Sequence, residues 1–295
     1  MMVVPTLRPA VFPDQRQLSG LLTCPYVHRH LDWREPLSWI GSAPFLVLAQ
    51  GEALTGALAC PVDATGVAWL RFFAVSAAGE VEQAWNLLWQ AAGVQLASTT
   101  ASLAAAIALQ GWMVPLLEAG GFSTRQQLVM LERSDENRPE PFSTDRGTSR
   151  EFPALRDMLI HDLPGVAEVD AAAFMPLWQN SLDDLRRAHS RAAFCTVCEV
   201  QGRIVAYQIS TRNAHGVHLA RLAVIPEVQG QGIGQALVRH LFAQAEPHGI
   251  HRFTVNTQSD NAVSLVIYKR LGFVETGERY PVYENPLSHR RLQDD

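Results

Sequence analysis

From residue 194 onward, short β-type runs alternate with helix-type runs. Residues 194–200, 204–211 and 218–224 are rich in β-branched and apolar side chains and predict three strands. Ile233, Ala236, Leu237, Leu241 and Phe242 recur at helical spacing, so they predict an amphipathic helix whose apolar stripe is core. A strand through 254–256 then leads into the polar turn Thr257, Gln258, Ser259, Asp260, Asn261, where Ser259 or Asp260 is placed to cap a helix from Ala262. Gly272 stops that helix, and Lys269 and Arg270 in its last turn suit the negative end of the dipole. Upstream, 155–163 and 174–187 also read as helical.

The chain repeats itself at an offset of about 150 residues. Residues 69–76 resemble 219–225, the helical run 85–89 falls opposite 235–239, and 116–122 falls opposite 267–273. The hairpin-like 45–52 likewise matches 195–202. Self-similarity at a fixed period predicts two copies of one α/β fold. Between them, 135–147 is charged, contains Pro139 and Pro141 and lacks apolar periodicity, so it predicts a linker between domains at 1–134 and 148–295.

Composition narrows the function without naming it. The 295 residues carry a net charge of −5 and are 47% hydrophobic, which suits a globular protein of more than one core and gives no basic footprint for nucleic acid. Lys269 is the only lysine. No secretory signal and no run long enough for a bilayer is evident, so a cytoplasmic protein without a membrane partner is expected. Cys195 and Cys198 are three apart on a predicted strand and point to opposite faces, and no second pair at zinc spacing accompanies them, so no metal site is expected.

The chemistry concentrates where the strand 218–224 meets the next helix. Gln229, Gly230, Gln231, Gly232, Ile233 and Gly234 form a glycine-rich turn that lets a ligand reach the backbone and opens a helix whose first N–H groups are unpaired. Such a turn favours a phosphate. Neither the dinucleotide fingerprint nor a P-loop is present.

Gln229-x-x-Gly232-x-Gly234, followed by Asn261, Tyr268, Gly272 and Phe273 in the pattern Asn-x6-Tyr-x3-Gly-Phe, resembles the two signatures of the GNAT N-acyltransferases. The resemblance implies an α/β (α+β) architecture of two tandem GNAT-like domains, each a mixed, splayed sheet flanked by helices. It further implies acetyl-CoA or another acyl-CoA as co-substrate, with pantetheine on the backbone of Leu222, Ala223 and Val224 and pyrophosphate on residues 229–234, near Asn261. Tyr268 matches the family's proton donor to the leaving thiolate. The base stays open: His218 is a candidate because alternation along the strand puts it on the face of Leu222. Asn256 stands where ribosomal-protein N-acetyltransferases often carry Glu, and an amide cannot act as a base.

The first copy departs from this pattern. It has Gly79 with Glu80 and Glu82 in place of the glycine-rich turn, and Leu117 in place of Tyr268, so it is expected to pack and shape the groove instead of binding acyl-CoA. The tandem layout is similar to that of the mycothiol synthases. Three functions follow: acetyl transfer to a small-molecule amine, with 174–187 as one wall of the acceptor pocket; transfer to a protein or peptide; or a non-catalytic acyl-CoA-binding module. Asp162, Glu168, Asp170, Asp183 and Asp184 would supply the acidic groove that a basic peptide needs. The chain is expected to be a monomer or homodimer.

Overall fold

The computed structural model describes residues 5–76, 79–135 and 154–287. The expected linker at 135–147 lies outside these apart from Asp135. Among these residues two compact units emerge, one with its described residues between 5 and 126 and at 280–287, the other between 127 and 279.

The first unit contains β1 (Thr6–Pro9), α1 (Gln15–Leu21), β2 (Tyr26–Arg29), β3 (Phe45–Gln50), β4 (Ala53–Ala59), β5 (Val67–Trp69), β6 (Phe72–Val75), α2 (Val81–Leu96), β7 (Leu103–Ile107), α3 (Met113–Ala119) and the start of β8 (Ser123–Arg133). An antiparallel sheet runs in the order β1-β3-β4-β6-β2, and β5 pairs with β7 in parallel. Trp85, Leu88 and Trp89 of α2 pack with Phe73 and Phe122, and the rings of Trp85 and Trp89 stack at 5.7 Å. The C-terminal chain segment closes this unit: Val282–Pro286 pairs antiparallel with β7.

The second unit contains the rest of β8, then β9 (Ala154–Asp157), α4 (Leu163–Ala173), α5 (Leu182–Arg191), β10 (Phe194–Val200), β11 (Arg203–Asn213), β12 (Gly216–Val224), α6 (Ile233–Ala245), β13 (Phe253–Gln258), α7 (Ala262–Arg270) and the start of β14 (Val274–Pro286). Strands β9, β10, β11 and β12 form an antiparallel meander. β13 joins β12 in parallel and is flanked on its other side by Leu128–Arg133 of β8. Val238, Leu241 and Ala245 of α6, Tyr268 of α7 and Leu271 just after it pack on Val217, Leu219, Phe253 and Val255, while α4 lies against β11 and β12.

Two helix expectations are corrected. Residues 155–163 are β9 followed by a single 3-10 turn at Ile160–Asp162, and α4 starts at Leu163 because Pro164 fits only a first helical turn. Within 174–187, Phe174 is extended (φ −122°, ψ 149°) and ends α4, and Pro176 opens another 3-10 turn. The helix begins only at Leu182, where Ser181 and Asp184 close a capping box. All four cysteines are free, and among the described residues no helix is long and apolar enough to cross a membrane.

The composition of the second unit generates a prediction. A fragment of residues 146–295 lacks Leu128–Arg133, so it leaves the β13 edge unpaired and removes Val129 and Leu131 from the core. It is expected to aggregate, whereas a fragment from residue 123 recovers a soluble, eluting fraction on size exclusion. Equal solubility of the two fragments contradicts this account.

Candidate active site

β12 and β13 hold together only at their beginnings. Val217, His218 and Leu219 pair with Phe253, Thr254 and Val255, and no pairing between the two strands continues beyond Leu219. From there β13 stays with β8 and β12 with β11, so residues 220–224 present an edge without a strand partner among the described residues. A bulge marks the parting, since Ile209 faces Arg221 while Ser210 faces Leu219, leaving Ala220 as the extra residue.

Beside the end of that edge lies a cavity of about 830 Å³, lined also by the starts of α6 and α7. Leu222, Ala223, Val224, Gln229, Gly230, Gln231, Gly232, Ile233, Gly234 and Asn261, the ten residues expected from sequence, all line it. Gly230 and Gly232 have φ of +75° and +86°, which side chains with a Cβ rarely adopt. Gly232 is the N-cap of α6 and supplies no side-chain cap, so the leading N–H groups of that helix remain available to an anion. Gly234 is buried in the first turn of α6, and a Cβ there would make only ordinary contacts, 3.5 Å from Ile267 Cδ1 and 3.8 Å from Val224 Cγ2. Asn261, in place of the expected Ser259 or Asp260, caps α7 by accepting the Ser264 N–H at 3.1 Å.

The first copy closes the matching edge with its own chain. Phe72–Val75, offset by 150 from 222–225, pairs with Arg29, His28, Val27 and Tyr26 of β2. The parallel pairing of β5 with β7 is the counterpart of the β12–β13 contact, so the copy forms the same start and then fills the opening. Its α2 also has Glu80 at the N-cap and Glu82 in the first turn, both unfavourable to a phosphate. Leu117 is fully buried.

Tyr268 and His218 are not among the cavity-lining residues. Tyr268 lies in the core under α7, its ring 5.6 Å from that of Phe273, and burial raises its hydroxyl pKa above the ordinary value. His218 is corrected in orientation. The bulge at Ala220 reverses the alternation, so Val217 and Leu219 share the α6 and α7 face with Leu222, and His218 points to the opposite face. Its Nδ1 is 2.9 Å from Thr254 Oγ1. Burial lowers its pKa, and a hydrogen bond with Asn256 offsets part of that. Both residues keep the protonation their expected roles require at neutral pH, a protonated phenol and a neutral imidazole.

Sequence reasoning misses the polar cluster on the α4 side. Asp170 is completely buried and accepts Arg221 Nε at 2.8 Å, the Asn180 N–H at 2.7 Å and the Tyr207 hydroxyl. Arg221 Nη2 also donates to Trp178 O at 2.6 Å, and its Cζ sits 3.5 Å from the centroid of Phe174, which lines the cavity. Burial, the largest effect, pushes the Tyr207 hydroxyl well above its ordinary pKa, so it stays a donor to the carboxylate. Arg71 falls opposite Arg221 in the repeat and pairs with Asp32 at 3.1 Å, so this parallel was the available signal.

The expected acidic groove is largely neutralised within the unit. Arg156 binds Asp162 at 2.6 Å, Asp170 is buried with Arg221, Asp184 caps α5, and Arg187 pairs with Asp183 at 3.2 Å. Glu168, the fifth, is exposed on α4.

Residues 165–289 match the family described as acetyltransferase (GNAT) domain. Over 82 residues the chain is 32% identical to the [ribosomal protein bS18]-alanine N-acetyltransferase of Escherichia coli (strain K12), covering 28% of this chain and 55% of that protein. It is 32% identical over 88 residues to the mycothiol acetyltransferase of Arthrobacter sp. (strain FB24), covering 28% of this chain and 27% of that one. The chain thus spans about half the length of the first relative and about a quarter of the second. A tandem GNAT protein from the clavulanic acid biosynthesis pathway has the same fold, with a TM-score of 0.63 over 97% of this chain and 99% of that one at 16% identity.

Asp170→Ala is expected to destabilise the chain by about 3–5 kcal/mol, because Arg221 is left with a buried, uncompensated charge. Urea denaturation reads this directly. A loss under about 1 kcal/mol, the scale of an exposed pair, would show that water replaces the carboxylate.

Proposed function

We propose, from the premise that residues 165–289 are a GNAT domain in a chain of tandem GNAT fold, that the protein transfers an acyl group from acyl-CoA to a small-molecule primary amine. Acetyl is the simplest group, and transfer is by direct attack. The observation that carries this reading is the unpaired 220–224 edge running into the uncapped glycine turn in one cavity.

The residues fit the co-substrate. Left-handed Gly230 and Gly232 leave no Cβ against the phosphates, and the N–H groups opening α6 favour the pyrophosphate. The edge of Leu222, Ala223 and Val224 offers backbone donors and acceptors to pantetheine in the manner of an added strand. When bound, acyl-CoA supplies a thioester carbonyl to the amine. Tyr268 gives its proton to the departing sulfur, and His218 takes one from the amine. Tyr268 packs in the α6–α7 core and His218 lies on the opposite face of β12, so in this reading acid and base belong to different sides of the sheet. The first copy contributes no second co-substrate site, since β2 fills the matching edge.

The relative that acetylates an alanine of ribosomal protein bS18 favours a peptide acceptor as a second reading. Against it stand Asn256 in place of a carboxylate and the internal pairing of Asp162, Asp170, Asp183 and Asp184. A thiol-release screen with acetyl-CoA against amines and N-terminal peptides separates the two. Turnover only with peptides overturns the small-amine reading, and release with neither class favours a binding module.

Calorimetry is expected to give one acyl-CoA site per chain, abolished by Gly232→Glu, which adds bulk and charge at the pyrophosphate; two equivalent sites contradict this. Tyr268→Phe is expected to lower kcat by about 10²–10⁴-fold with the KM for acyl-CoA nearly unchanged, the size of general acid catalysis. Wild-type turnover in that variant, with chemistry rate-limiting, removes Tyr268 as the acid.

A further inference from the structure

We infer that Phe174 is the wall that limits the length of the acyl group and that Arg221 holds it in position; the inference rests on the acyl-CoA reading above. The cavity has two ends, and the strand β12 identifies them. It runs from Leu222 through Val224 into the glycine turn, so the turn is the end where pyrophosphate lies. Arg221 immediately precedes Leu222, and its guanidinium carries the Phe174 ring 3.5 Å from Cζ to centroid. Phe174 therefore stands at the other end of the edge, where a pantetheine arm laid from Val224 toward Leu222 delivers its thioester.

The ring has little freedom to swing aside. It follows α4 in an extended conformation and is backed by a guanidinium whose Nε and Nη2 both reach Asp170 Oδ2, at 2.8 and 2.6 Å. Nη2 also donates to Trp178 O. Asp170 Oδ1 accepts the Asn180 N–H, and Oδ2 accepts the Tyr207 hydroxyl, so groups from β11, β12 and the segment after α4 converge on one fully buried carboxylate. A satisfied buried network of this kind has one arrangement, and the flat guanidinium stacks where an ammonium would not. An acetyl group fits beneath such a wall, while each further methylene meets aromatic carbon that cannot retreat.

The test is calorimetric binding of CoA, acetyl-CoA, butanoyl-CoA and hexanoyl-CoA to the full chain. The wild-type protein is expected to bind CoA and acetyl-CoA alike and hexanoyl-CoA about 10-fold or more weakly, the scale on which a fixed pocket resolves methylenes. Phe174→Ala is expected to bring hexanoyl-CoA within about 3-fold of acetyl-CoA. Arg221→Lys, which keeps a charge beside Asp170 but loses the stacked plane, is expected to fall between. If Phe174→Ala does not fold, Phe174→Leu gives the same direction with smaller relief. Wild-type protein that binds hexanoyl-CoA as tightly as acetyl-CoA, or a Phe174 variant that retains the full penalty, overturns the assignment. Binding of CoA itself tells the two failures apart: without it the acyl-CoA reading falls and this inference with it, and with it only the wall falls.

Discussion

The candidate site depends on one interruption of a hydrogen-bonded ladder. Parallel pairing between β12 and β13 ends at Leu219, and the bulge at Ala220 turns the rest of β12 away. A backbone edge at 220–224 is thereby left with donors and acceptors that the fold does not use. Buried or half-buried peptide groups must find partners, so such an edge is stable only with water or an extended ligand beside it. The glycine turn follows at once and places an anion-favouring helix start at the end of that edge.

The first copy shows the same fold with the matching edge filled by its own chain. Its Phe72–Val75 edge is paired by β2, and the helix that follows is opened by carboxylates instead of bare N–H groups. Two independent changes therefore point the same way. A strand stands where the second copy leaves an open edge, and carboxylates stand where it has the glycine turn. The large aromatic core around Trp85 and Trp89 remains, so this unit keeps its stability while losing the opening.

Rigidity on the α4 side comes from charge burial. Asp170 is removed from water, and its cost is offset only because Arg221, Tyr207 and the Asn180 N–H satisfy it together. That convergence ties α4 and the following turn to β11 and β12. It also makes four of the acidic residues on this side unavailable as a charged groove, since Asp162, Asp183 and Asp184 are engaged as well.

Local patterns that depend on neighbours in the chain were legible in the sequence. The glycine-rich turn at 229–234, the apolar stripe of α6 and the stop at Gly272 follow from spacing and short-range chemistry, as does the repeat, while Leu222, Ala223, Val224 and Asn261 are expected through the family resemblance. Where distant residues decide the outcome, the sequence was insufficient. Residues 154–157 form a strand because β10 lies beside them, and Pro176 with the Ser181 cap displaces the next helix to Leu182. His218 changes faces because a single bulged residue reverses strand parity, which composition does not reveal. The Asp170–Arg221–Tyr207 cluster and the filling of the first copy's edge by β2 join residues 14 to 51 positions apart and strands about 46 apart. Their formation is settled by register and packing, which only the tertiary structure supplies, because hydrogen bonds between distant segments have no local signature in the residues that make them.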